Sequence, residues 1–93
     1  MTFHFVEEKE RYVVKDDANQ EAGEITWSSA GDKIMIIDHT YVDPKYRGHQ
    51  LAQQLVKYAA DKARKEGKKV LPLCPFAKKE FQEKPEYADI WRK

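Results

Sequence analysis

At 93 residues the chain holds enough material for one domain with a modest core, and it is short for an enzyme. Charged residues at 35% and hydrophobic residues at 41% fit a soluble globular protein and exclude a disordered one. No apolar run could span a bilayer, and Met1-Thr2-Phe3-His4-Phe5 lacks the basic start and apolar block of a signal peptide, so no membrane partner is expected. A lone cysteine, Cys74, cannot close an internal disulfide, which makes a reducing, cytoplasmic setting the default. The net charge of +1 hides an asymmetry. Residues 1–46 carry five Lys/Arg against ten Asp/Glu, and residues 47–93 carry twelve against six. A basic second half suits a polyanionic ligand, and it equally suits the solvated face of an ordinary helix.

No repeat, low-complexity tract or linker interrupts the chain, so 1–93 reads as a single domain. Residues 9–16 read as a short strand ended by the turn-prone Asp16-Asp17-Ala18-Asn19. Over 21–28, Ala22, Glu24 and Thr26 alternate with Gly23, Ile25 and Trp27, the pattern of a half-exposed strand, and Ser29-Ala30-Gly31-Asp32 supplies a hairpin turn. Residues 33–42 are rich in β-branched side chains and apolar on both faces, as a central strand requires. A helix is predicted over 49–66. Leu51, Ala52, Leu55, Val56, Ala59 and Ala63 form its apolar stripe, Gln53, Gln54, Lys57, Asp61 and Arg64 point outward, and Gly67 stops it. A short strand over 69–73 follows, and strand–helix–strand implies parallel pairing through a right-handed crossover. A second helix over 75–83 should turn Phe76 and Phe81 inward, with Tyr87, Ile90 and Trp91 packing the tail.

Between the predicted central strand and helix lies Val42-Asp43-Pro44-Lys45-Tyr46-Arg47-Gly48-His49-Gln50-Leu51-Ala52. A glycine-containing loop that opens a helix offers unpaired N–H groups at the positive end of the helix dipole, and Arg47 adds a fork of donors. That arrangement holds a phosphate; on spacing alone it is equally an ordinary strand-to-helix turn.

The stretch resembles the acetyl-CoA signature of the GNAT superfamily of N-acetyltransferases, Arg/Gln-x-x-Gly-x-Gly/Ala after a strand ending in Val-x-Pro. Arg47 and Ala52 fill the first and last positions, and Gln50 stands where the superfamily has its inner glycine. His39-Thr40-Tyr41-Val42 before the loop, Leu73-Cys74-Pro75-Phe76 after the helix and Pro85-Glu86-Tyr87 beyond resemble a small single-domain branch of that superfamily. The resemblance spans roughly residues 22–90. It implies a minimal GNAT-like acyl-CoA N-acyltransferase fold, an α/β (α+β) mixed sheet of about four or five strands with two helices. It further implies an acetyltransferase that takes acetyl-CoA as co-substrate. Arg47, Gly48, His49, Gln50, Leu51 and Ala52 would embrace the pyrophosphate, and Tyr41 and Val42 would pair their backbone with the pantetheine arm. Lys78 and Lys79 are candidates for the ribose phosphate. The acceptor would be a primary amine: a small amine, a polyamine or a protein lysine.

Acyl transfer to an amine needs the amine deprotonated, the thioester carbonyl polarised and the departing thiolate protonated. His39 suits the base, since imidazole titrates near neutrality. In a regular strand it shares a face with Met35, Ile37 and Tyr41, and a bulge would re-aim it. A core histidine bonded to a carbonyl is the plainer alternative. Pro75 fits the first position of the second helix, which puts Cys74 at the N-cap, where the dipole favours a thiolate; a small buried hydrophobe is the plainer alternative there. His4, His49 and Cys74 form no metal-like grouping, so no metal is expected. Two rivals to the enzyme remain: a non-catalytic sensor or accessory module holding acetyl-CoA or CoA, and a nucleic-acid binder using the basic half. No nucleic-acid reader motif supports the second. With so little chain for an acceptor pocket, a partner protein completing it is a further expectation.

Overall fold

The computed structural model describes residues 2–93. Five strands and two helices run in the order β1 (His4–Glu8), β2 (Arg11–Lys15), β3 (Glu21–Ala30), β4 (Ile34–Val42), α1 (Leu51–Lys65), β5 (Lys69–Pro72) and α2 (Pro75–Glu83). Short 3₁₀ turns occupy Pro44–Tyr46 and Pro85–Tyr87. The strands lie in sequence order across one sheet, antiparallel from β1 to β4 and parallel between β4 and β5. The mixed sheet and two helices match the expected architecture. β4 is interior, as its apolar character demands, but β3 is the middle strand rather than β4.

β1 had no counterpart among the sequence expectations. HFVEE is short and polar at one end, and only pairing with β2 and the stacking of Phe5 on Tyr58 of α1 (4.5 Å) make it a strand. Glu7 of β1 also accepts a charge-assisted hydrogen bond from Lys62 of α1 (2.8 Å). β3 runs two residues longer than the alternation suggested, and α1 begins two residues later, at Leu51. The delay has a local cause. Gly48 and Gln50 take positive φ of 92° and 57°, incompatible with a right-handed helix.

One face of the sheet is covered by α1, whose Leu51, Leu55, Val56, Ala59, Ala60 and Ala63 are buried with Val14, Ile25, Trp27, Met35 and Ile37. Ala77 and Phe81 of α2 join the same core, with Tyr87 stacked on Phe81. Val13 is buried outside this core, on the opposite face beside Glu24. Among the described residues no helix is long and apolar enough to cross a membrane.

A cleft where two parallel strands part

β4 changes character in its middle. Trp27 opposes Ile37 and Thr26 opposes His39, so Asp38 is an extra residue, a bulge. Before it, Met35 and Ile37 point into the core. After it the phase switches, and Thr40 and Val42 take the α1 face while His39 and Tyr41 turn to the opposite one. His39 therefore shares a face with Tyr41, whose ring lies parallel to its own (6.2 Å), and not with Met35 and Ile37. His39 is 53% exposed, its Nε2 3.9 Å from Glu24 Oε2, and it is no core histidine. Glu24 in turn accepts a hydrogen bond from Arg11 (2.8 Å), which also pairs with Glu8 and Glu21.

The bulge also marks where β5 leaves. The parallel register ends at Ile37 and Pro72, and the N–H groups of Leu73 and Cys74 both converge on the Ile37 carbonyl (3.1 and 3.2 Å). Beyond that point β4 is paired with β3 alone. Asp43 donates its N–H to Ala22 of β3, and Tyr41 turns its carbonyl toward Gly23, so the groups of Thr40 and Val42 face the opening. Gly23 makes that close approach feasible, because a Cβ there would sit 2.5 Å from the Tyr41 oxygen.

At the end of the opening a cleft of about 440 Å³ is lined by Val42, Tyr46, Arg47, Gly48, Gln50, Leu51, Ala52, Gln53 and Phe76. Six of the eight residues expected to contact acetyl-CoA thus come together. His49 packs on Phe3 instead (5.0 Å), and Tyr41 lies across the sheet. Leu51 is buried in the core, so only its backbone is available. The first helical hydrogen bond runs from Gln54 N–H to Gln50 O, which leaves the N–H groups of Leu51, Ala52 and Gln53 unpaired, and no side chain caps them. Unpaired donors at a positive dipole end beside Arg47 make a site for anionic oxygens. Gln50 occupies a left-handed backbone position, which explains a glycine preference there: the requirement is conformational before it is steric. Lys78 lines a different groove, beside Trp91, and Phe76 is half-buried and lines the cleft rather than turning wholly inward.

Cys74 caps α2 and is buried, with Sγ 3.5 Å from Thr40 Oγ1, where the thiol can donate. Burial pushes its pKa up, but the Thr40 hydroxyl and the backbone N–H groups of Ala77 and Phe76 outweigh it, and the thiol lies below its ordinary value. His39 and Cys74 flank β4 from opposite faces of the sheet, one exposed and one enclosed.

Tyr46 and Asp16 were not among the expected site residues. The buried Tyr46 hydroxyl donates to Asp16 Oδ2, and Asp16 also accepts from the N–H groups of Ala18 and Gln20. The bond from Tyr46, first, and those two backbone groups hold the Asp16 carboxyl below the usual range; the Asp16 contact and burial push Tyr46 up to about 12. The 16–20 turn therefore clamps the residue before Arg47. A distance of thirty residues hides this pair from sequence, whereas a mid-strand Gly23 is a readable signal of close approach.

The profile of the GCN5-related N-acetyltransferase family matches residues 11–90, and the chain belongs to that family. The solution structure of a GCN5-like protein from Staphylococcus aureus superposes with a TM-score of 0.79 at 26% identity, covering 96% of this chain and 87% of that one. A GNAT family N-acetyltransferase from Escherichia coli in complex with CoA gives a TM-score of 0.61 at 30% identity, over 68% of this chain and 38% of that one. An Elizabethkingia anophelis GNAT acetyltransferase with acetyl-CoA bound shares the fold (TM-score 0.60, 21% identity), over 67% of this chain and 40% of that one. The chain thus spans about two fifths of the length of those CoA-bound neighbours. No curated protein sequence shows significant similarity to it.

Proposed function

We propose that the protein transfers the acetyl group of acetyl-CoA to a primary amine by direct attack within a ternary complex. The observation that carries this is one juxtaposition: unpaired N–H groups opening α1, Arg47 beside them, and a parted β4–β5 pair leading away from both. The pyrophosphate would rest on Arg47, Gly48 and the N–H groups of Leu51, Ala52 and Gln53, with Gln50 and His49 shaping the loop. The pantetheine amides would pair with the free backbone groups of Thr40 and Val42. Family membership and the CoA or acetyl-CoA in the E. coli and E. anophelis neighbours support the choice of ligand.

The acceptor would approach from the face bearing His39 and Tyr41. Glu8, Glu21 and Glu24 around Arg11 leave that region negative, which draws in an ammonium. The ammonium gives one proton to solvent, and His39, beside Glu24, takes the second as the neutral nitrogen attacks the thioester carbon; His39 passes that proton to solvent once the amide has left. The carbon–sulfur bond then breaks, and Cys74 gives its proton to the departing CoA thiolate. A thiol below its ordinary pKa is the stronger acid of the two, so that transfer runs downhill. Cys74 recovers its proton from solvent after CoA leaves. Holding both reactants together makes a covalent acetyl-cysteine unnecessary.

A thiol-release assay with acetyl-CoA against small amines, polyamines and lysine peptides tests this reading. Release that depends on amine is expected. CoA binding with no release under any acceptor would leave the alternative, a non-catalytic CoA-holding module.

A further inference from the structure

A groove of about 400 Å³ runs along the outer edge of β5, away from the cleft, walled by Leu71, Leu73 and Trp91 and rimmed by Lys78, Arg92 and Lys93. Leu73 is 60% exposed, the most exposed large hydrophobic side chain among the described residues. A lone exposed leucine is unremarked in a protein surface, but here it continues an apolar wall. No acidic side chain lines the groove. None of its three cations forms an ion pair with the described residues, and what sets them apart is that all three gather on one apolar slot. Three like charges around one apolar slot repel one another, and an anionic partner relieves that repulsion.

The backbone narrows what can enter. Val70 donates to Ile90 O and accepts from Arg92 N–H, so the tail already covers the sheet edge there. The next outward position on β5 is Pro72, which has no N–H to extend the ladder. An added strand finds no register, and recognition falls to side chains. Stacked bases are also disfavoured. Lys93 Nζ lies over the Trp91 ring (4.9 Å) and Phe81 packs against it at a steep angle, so part of the indole is already taken. A groove with a single partly covered aromatic ring favours one inserted apolar side chain over a run of stacked bases.

We infer that this groove docks an acidic peptide segment of a partner protein, with one large apolar side chain seated between Leu73 and Trp91 and carboxylates on Lys78, Arg92 and Lys93. The docking is separate from acetyl transfer and is read by direct binding. The probe is a fluorescein-labelled peptide of alternating Glu and Asp with a central Phe, titrated by anisotropy into the full chain. Controls are the same peptide with Lys for each acid and a single-stranded oligonucleotide of equal charge. The acidic peptide should bind with a Kd of about 10–100 μM, as small transient interfaces do, and weaken as salt rises. Leu73→Asp and the pair Arg92→Glu/Lys93→Glu should each weaken it about tenfold or more, with the melting temperature unchanged, and the pair should gain affinity for the Lys peptide. Equal binding of the acidic and basic peptides, tighter binding of the oligonucleotide, variants without effect, or no binding by any probe would each overturn the inference. Calorimetry with CoA on the same variants keeps the two claims apart, because a lost peptide with retained CoA affinity bears on the groove alone.

Discussion

The two ends of β4 do different work with the same strand geometry. From Ile34 to Ile37 the strand is paired on both sides, and its inward residues Met35 and Ile37 are buried. From His39 to Val42 it is paired on one side only, and its side chains are exposed or half-buried. A single extra residue, Asp38, separates the two and inverts which side chains face the helices. The first end holds the fold. The second offers unsatisfied backbone groups and a histidine, at a point where β5 has already turned away under Pro72 and Cys74. Under the proposed function, reactivity is obtained by ending a ladder early, with stability supplied by the part that stays closed.

The sharpest break of this contrast is His39→Ala, which should lower turnover by about 10²–10⁴-fold and leave both CoA affinity and the melting temperature nearly unchanged. Steady-state rates alongside calorimetry decide it; full activity would remove His39 from the mechanism. On the closed half, Ile37→Ala should cost about 2–5 kcal/mol in urea unfolding through the cavity it leaves. A loss under about 1 kcal/mol would mean that the closed half does not hold the core. Arg47→Ala should weaken CoA binding by about 1.5–3 kcal/mol if its guanidinium makes a charge-assisted phosphate contact. Gln50→Gly should stabilise the loop, by about 0.5–1 kcal/mol, since glycine takes the left-handed conformation freely. Tyr46→Phe should raise the Kd for CoA about three- to tenfold, the worth of one hydrogen bond that positions the loop, with little change in kcat.

The chemistry of Cys74 gives a pH signature on the open half. Its folded pKa is lowered, so its contribution to stability is present above the unfolded thiol value and lost as pH falls through the folded one. Iodoacetamide labelling should accordingly reach its midpoint at a lower pH than for the same thiol in the urea-unfolded chain, and acetyl-CoA should protect the sulfur. Thr40→Ala should move that midpoint upward, because it removes a group that favours the thiolate; an unmoved midpoint would assign the shift to the helix alone.

Much of this was legible in the sequence because it is local. The α1 stripe, the Pro75 start of α2 and the Arg47-Gly48 loop are each written within a few residues, and the structure brings Val42, Arg47, Gly48, Gln50, Leu51 and Ala52 to one cleft. What sequence left undetermined depends on partners far along the chain. The Asp38 bulge, which decides where His39 points, is a mismatch of register against β3 and has no signature within β4 itself. The Tyr46–Asp16 clamp joins two turns thirty residues apart, and β1 exists because β2 and α1 are there to receive it. Lys78 faces β5 and the tail because of the setting of α2, which composition does not specify.

The central claim is that acetyl-CoA enters where β4 and β5 part, and amide chemical-shift mapping with ¹⁵N-labelled protein tests it most directly. On titration with CoA, the amides of Gly48, Leu51, Ala52 and Gln53 should shift together with Thr40 and Val42, while Met35, Ile37 and Val13 stay in place. Shifts confined to the β5 groove or the Arg11–Glu24 region, with the Gly48–Gln53 amides unmoved, would contradict it.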